Sequence, residues 1–245
     1  MISKTMRSIL HALSYGNIDV ESSRRIADLK KLDAMRIFIR KLDTKICNGD
    51  YEVPVRMYFP SEETMEQEKE GKLSLPVLLF FHGGGWVNGD VDFYTDACSA
   101  MALRLERRVV SVDYRRAPEH RFPQAPEDCY EVARQLHAGE LLADVDPDHI
   151  VLFGDSAGGN LAAVVSLMAR DRGEFAPRTQ MLLYPATYND HDPATSLFES
   201  VRENGEDYLL TWRDVVGYME LYVKGPKDFS NPYFAPLLAP DLGRQ

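Results

Sequence analysis

Ile150-Val151-Leu152-Phe153-Gly154-Asp155-Ser156-Ala157-Gly158-Gly159-Asn160-Leu161-Ala162-Ala163 is the stretch that decides how this chain is read. An apolar run of strand length leads into Gly-x-Ser-x-Gly, and small, helix-compatible residues lead out. A strand that passes directly into a helix at such a point bends sharply and lifts the serine hydroxyl above the sheet edge. Glycine on either side lets strand and helix approach without a clash. The helix beginning there aims the positive end of its dipole at the same spot, where negative charge is stabilised. The pentapeptide alone is also compatible with a glycine-rich turn whose serine merely caps a helix. Its flanking strand and helix are what make Ser156 a candidate nucleophile.

The surrounding pattern fits that context. Pro76 to Phe81, Arg108 to Val112 and His149 to Phe153 are short apolar runs of the kind found in buried parallel strands. Helical stretches separate them, Tyr94 to Glu106 and Pro126 to His137, and another, Asn160 to Arg170, precedes a sixth strand at Thr179 to Tyr184. Strand–helix alternation predicts an α/β fold with a mainly parallel sheet and helices on both faces. Ahead of it, Thr44 to Cys47 and Val53 to Tyr58 read as a hairpin turning at Asn48-Gly49-Asp50. The glutamate-rich run Ser61 to Lys72 reads as a solvated loop. Residues 1–43 carry apolar positions at helical spacing (Met6, Ile9, Leu10, Leu13, then Ile26, Leu29, Leu32, Met35) and are expected to form an N-terminal helical cap segment. Residues 44–245 form the α/β domain, with no internal repeat and no second core.

His82-Gly83-Gly84-Gly85-Trp86 follows the third strand. Three consecutive glycines leave backbone N–H groups uncovered, so a carbonyl oxygen can come close. Two of them together with the Ala157 N–H would make a three-donor oxyanion hole, in which one donor is worth about 10²–10³ in turnover. Without the serine turn the same loop would read as a flexible turn or a phosphate nest. His82 opens the loop; a histidine that bonds the loop is expected there, with a general base as the alternative.

Composition limits the remaining classes. Of 245 residues, 44% are hydrophobic and 27% charged, enough apolar material for a sizeable core. A formal charge of −10 argues against a nucleic-acid partner, which requires a basic face. Cys47, Cys98 and Cys129 are widely spaced and odd in number, which suits free thiols in a reducing compartment better than disulfides or a metal site. No apolar run reaches the roughly 20 residues that span a bilayer, and charged residues interrupt the N-terminus, so the expected location is cytoplasmic.

Four segments together resemble the bacterial hormone-sensitive-lipase-like esterases of the α/β-hydrolase superfamily: His82 to Trp86, Asp113-Tyr114-Arg115-Arg116-Ala117-Pro118-Glu119-His120-Arg121-Phe122-Pro123, Gly154 to Asn160, and Tyr184-Pro185. The resemblance implies an α/β-hydrolase fold, hydrolysis of small carboxylic esters with short acyl chains, and no cofactor. It makes Ser156 the nucleophile, with the N–H groups of Gly84, Gly85 and Ala157 as the oxyanion hole and His82 and Gly83 as part of the loop motif. Trp86 and Asp155 are expected in the substrate pocket. Arg115 and Glu119 are expected to pair with neighbours; Arg116 replaces a commonly apolar residue, with no evident consequence.

One element of the family pattern is not found. A serine hydroxyl needs a base, and fold order places an acid and then a histidine after the nucleophile. The histidine after Ser156 is His191, between two aspartates in a loop; a plain surface residue is expected there, with a substitute base as the alternative. The segment Asn231 to Leu242 resembles the part of the family just before a seventh strand. The expectation is therefore a domain lacking its last two strands, with the triad acid and histidine beyond this chain. A chain so placed would turn over poorly alone, since removing a triad histidine costs about 10⁶ in kcat. Its sixth strand would present an open edge for a second chain, a neighbouring copy or the chain's own tail. A ligand-binding protein that keeps the pocket without the chemistry, or an inactive truncated product, is the competing reading.

Overall fold

The computed structural model describes residues 20, 21, 24, 41–143, 145–206 and 208–243. Two strands begin it, β1 (Lys41–Asn48) and β2 (Tyr51–Tyr58), joined by a two-residue turn and paired in antiparallel register from Lys41 opposite Tyr58 to Asn48 opposite Tyr51. The expected hairpin is present, and β1 starts three residues before Thr44. The two N-terminal helices expected before it lie outside the described residues.

The rest of the sheet follows from four strands: β3 (Val77–Phe81), β4 (Arg108–Val112), β5 (Ile150–Asp155) and β6 (Thr179–Leu183). Their order is β1-β2-β4-β3-β5-β6, with β4, β3, β5 and β6 mutually parallel and β2 antiparallel to β4. The unbroken apolar runs are explained by the two covered faces. On β3, Val77, Leu79 and Phe81 join one cluster while Leu78 and Phe80 join another, all 4% exposed or less. The first cluster is covered by α3 (Gln124–His137) and α4 (Ala157–Arg172), the second by α2 (Thr95–Leu105) through Cys98 and Ala102. Helix α4 is buried on every side along residues 157–169, where a surface helix would be amphipathic, and is apolar or glycine there except at Asn160 and Ser166.

β3 is the point where strand order reverses, because β4 lies on one side of it and β5 on the other. Open α/β sheets bind ligands in the crevice outside the strand C-termini at such a point. The triple-glycine loop leaves the end of β3 and the serine turn leaves the end of β5, so topology brings the two motifs together.

One expectation changes. The Ser61 to Lys72 run contains a helix, α1 (Glu62–Lys69), and is not a loop. Ser61 Oγ accepts from the Thr64 N–H while Thr64 Oγ1 accepts from the Ser61 N–H, a reciprocal cap with threonine in the place of the usual Glu or Gln. Glu68 on this helix pairs with Arg108 at the start of β4, both side chains 6% exposed. A run of charge thus anchors the domain through a tertiary partner that periodicity does not reveal. The sixth strand is also less buried than its neighbours: it pairs with β5 alone, and Met181 and Leu183 are 53% and 39% exposed. It is an open sheet edge among the described residues, as expected. No helix among them is long and apolar enough to cross a membrane.

Candidate active site

Ser156 stands between β5 and α4 at φ 54° and ψ −116°. An L-residue at positive φ carries a strain of about 1–2 kcal/mol, which the surroundings must enforce. Three backbone hydrogen bonds do so: the Ser156 N–H donates to the Leu183 carbonyl at 2.9 Å, and its carbonyl accepts from the N–H groups of Asn160 at 3.0 Å and Ala186 at 3.2 Å. The glycines are dictated by space. A Cβ on Gly158 would lie 1.9 Å from the Phe81 carbonyl oxygen, and one on Gly154 would lie 2.2 Å from that of Gly158. The Ser156 side chain makes no capping bond to the helix it heads, so the helix-cap alternative does not describe it.

The triple-glycine loop is held by its own set of bonds. Gly83 donates its N–H to Asp155 Oδ1 at 2.9 Å, and Tyr94 donates its hydroxyl to Asp155 Oδ2 at 2.8 Å. Asp155 was expected on the substrate-pocket wall; it is absent from the cavity lining and tethers the loop to the serine turn. Burial raises its pKa in spite of these donors. Beyond Gly83 the chain needs glycine, since Gly84 and Gly85 have φ of 120° and 62°, and a Cβ on Gly85 would fall 2.6 Å from the Tyr218 ring. The Gly84 carbonyl accepts from the Val87 and Asn88 N–H groups and closes the turn. Among the described residues, the N–H groups of Gly84, Gly85 and Ala157 donate to no protein acceptor.

His82 is fully buried, stacked on Tyr114 with centroids 4.2 Å apart. Its Nδ1 lies 2.9 Å from the Gly83 carbonyl, an acceptor only, so Nδ1 carries the proton. Burial drives its pKa down to about 4, which fixes a neutral ring that braces the loop. Arg115 forms a two-pronged pair with buried Asp128 at 2.9 and 2.6 Å, and Glu119 pairs with Arg24. Arg116 does have a consequence: it donates to the Gly89 carbonyl and lies near Asp90, on the far limb of the glycine loop. Arg24 donates to the Val87 and Ala117 carbonyls at 2.8 and 3.0 Å, joining the same loop to the segment after β4.

These parts enclose a cavity of about 310 Å³. Ser156 and Ala157 line it with Gly84, Gly85 and Trp86 on one side. Tyr184, Pro185, Ala186 and His191 lie on another, and Leu210 with Val215 and Tyr218 of the helix Trp212–Tyr222 forms a third. Trp86 backs the cavity more than it opens onto it, being 2% exposed and stacked on Tyr222 at 4.7 Å. Among the described residues, no aspartate, glutamate, lysine or arginine lines it. His191 overturns the surface expectation: it lies in this wall, its Nδ1 buried without a partner among the described residues and its pKa lowered by burial. Tyr94, Arg24, Val215 and Tyr218 had no motif to signal them. Their contributions come from packing over distances of 60 residues or more along the chain, as with the Tyr94–Asp155 bond.

Comparison with known proteins agrees with this architecture. A family model described as the alpha/beta hydrolase fold matches residues 78–245. An esterase of Pyrobaculum calidifontis superimposes with a TM-score of 0.81 at 34% identity, over 99% of this chain and 76% of that one. The chain belongs to the hormone-sensitive-lipase-like carboxylesterase family of the α/β-hydrolase superfamily. Relatives in this family include an arylesterase of Saccharolobus solfataricus, 36% identical over 203 residues, 82% of this chain and 61% of that protein. The carboxylic ester hydrolase LipN of Mycobacterium tuberculosis is 36% identical over 214 residues, 84% of this chain and 53% of its own length. This esterase-family chain thus spans somewhat more than half the length of the curated relatives it matches.

Proposed function

We propose that this chain is the nucleophile-bearing part of a serine carboxylic-ester hydrolase for uncharged, short-chain acyl esters. Ser156 attacks the ester carbonyl, and the N–H groups of Gly84, Gly85 and Ala157 stabilise the resulting oxyanion. Its collapse breaks the ester C–O bond and releases the alcohol, and water then frees the acid from the acyl-serine. The observation that carries this reading is the strained, uncapped Ser156 facing the same cavity as Gly84 and Gly85. A cavity of about 310 Å³ lies at the low end of the roughly 300–1,000 Å³ used for small ligands, which suits a short acyl group. The uncharged side chains among its described lining residues favour a neutral substrate.

The relatives named above are esterases, and Ser156 Oγ forms no hydrogen bond to an imidazole among the described residues. We therefore assign the acid and base of the triad to a segment that pairs with the open edge of β6, carried by a longer polypeptide, a second chain or a neighbouring copy. The free cysteines among the described residues suit a reducing, cytoplasmic setting.

Fluorophosphonate labelling tests the nucleophile. With free imidazole supplied as proton acceptor, peptide mapping should find the adduct on Ser156, and Ser156→Ala should abolish it. Labelling spread over other serines, or none on Ser156 at any imidazole concentration, would refute the assignment.

A further inference from the structure

The loop after β6 holds His191 in a way that a solvated turn does not require. Asp190 and Asp192 flank it, yet both carboxylates serve the turn itself. Asp190 Oδ1 accepts from the Asp192 N–H at 2.9 Å and the Thr195 hydroxyl at 3.1 Å, and Asp192 Oδ1 accepts from the Ala194 N–H at 2.8 Å. The loop is pinned on either side of Thr187 and Tyr188 as well. Asn160 Nδ2 donates to the Ala186 carbonyl at 2.7 Å, and Asn189 Nδ2 donates to that of Phe229 at 2.8 Å. What remains is a fixed imidazole in the wall of the Ser156 cavity whose buried Nδ1 has no partner among the described residues.

A buried polar atom without a partner is destabilising, and such atoms in native proteins call for an explanation. Among the other described polar side chains of this wall, Tyr218 already takes a hydrogen bond from Asn88 at 3.2 Å, while the Trp86 Nε1 donor is buried and likewise unpartnered, its ring packed against Tyr222. Indole nitrogen donates only, so His191 is the open position that can accept as well as donate. A neutral imidazole carries one donor nitrogen and one acceptor nitrogen. A hydroxyl both donates and accepts, so it satisfies Nδ1 in whichever tautomer the ring adopts, and it brings no charge to a cavity whose described lining residues are uncharged.

We propose that His191 is a specificity-determining residue that hydrogen-bonds a hydroxyl on the substrate, so that the preferred ligands are neutral hydroxyl-bearing esters. This rests on the esterase reading for the word substrate, and its test is independent of the chemistry at Ser156. The hydroxyl belongs to either the alcohol or the acyl portion, and two matched pairs of esters distinguish the two. In each pair a methyl group replaces the hydroxyl: 2-hydroxyethyl butyrate against propyl butyrate, and ethyl 3-hydroxybutyrate against ethyl 3-methylbutyrate.

Binding is measured in Ser156→Ala protein, which prevents turnover and removes the nucleophile from the comparison. The hydroxyl member of one pair should bind about tenfold tighter than its methyl partner, the net worth of one hydrogen bond. It alone should move the ¹⁵N resonances of the His191 imidazole. Adding His191→Phe should bring the ratio to about one, and His191→Gln should restore part of it. Equal binding within both pairs, a preference that survives His191→Phe, or no binding by any of the four esters would overturn the proposal. If His191→Phe fails to fold, the ¹⁵N response of the imidazole decides alone: a shift with a hydroxyl ester only supports the proposal, and its absence refutes it.

Discussion

Replacing Gly158 by alanine sets two elementary effects against each other. Gly158 lies in the first turn of α4, where alanine is favoured over glycine by about 1 kcal/mol in an ordinary helix. The tertiary structure opposes this, because the new Cβ would sit 1.9 Å from the Phe81 carbonyl oxygen and 2.7 Å from that of His82. Phe81 cannot retreat easily, since it is the last residue of β3, registered between Val112 and Gly154 on neighbouring strands. Overpacking costs about 1–3 kcal/mol where side chains can adjust, and a clash with fixed backbone belongs at or above the upper end of that range. The net expectation is a loss of at least about 2 kcal/mol from a total that is only about 5–15 kcal/mol in typical domains. Gly173→Ala at the other end of α4 is the control. Its φ is 67° with nothing within 4 Å of the added Cβ, so only the left-handed strain of about 1–2 kcal/mol applies. Urea denaturation of both variants, read by circular dichroism, measures the difference. A Gly158→Ala protein as stable as the parent would show that the turn is not packed against β3 as described, and the account of Ser156 as a backbone-enforced nucleophile would fail with it.

Arg108→Ala should cost about 3–5 kcal/mol, because it leaves the Glu68 carboxylate buried without its partner. Replacing both residues by apolar side chains of similar volume should recover most of that loss, and a denaturation midpoint unchanged in the single variant would contradict the burial of the pair. The pH dependence of stability should carry a His82 component. The ring is held neutral with a pKa of about 4 while the unfolded chain titrates near 6.5, so acidification loads protons on the unfolded state first and lowers stability as pH falls through that window. Between pH 7 and 5 this amounts to about 2 kcal/mol. It should be absent from His82→Gln and so appear as the difference between the parent and variant profiles, and identical pH profiles for the two proteins would refute it.

Much of the fold was legible in the chain because buried parallel strands must be continuously apolar. Val77 to Phe81 face two separate clusters with alternate side chains, so every position is hydrophobic and the run is conspicuous. Ser156 and the triple-glycine loop were legible for a related reason: their backbones need glycine at fixed offsets, and that requirement is local. Helix α1 was not legible, because its stability comes from a cap and from the Glu68–Arg108 pair across 40 residues.

The sequence by itself determined which segments are strands, where the chain bends at Ser156 and which amides are left uncovered by side chains. Those properties depend on a residue and its near neighbours. Only the tertiary structure decided that Asp155 turns away from the cavity to bind Gly83 and Tyr94, and that His191 turns into it. A carboxylate or an imidazole takes its direction from whichever donors, acceptors and walls surround it, and here those come from elements that meet only once the sheet has formed.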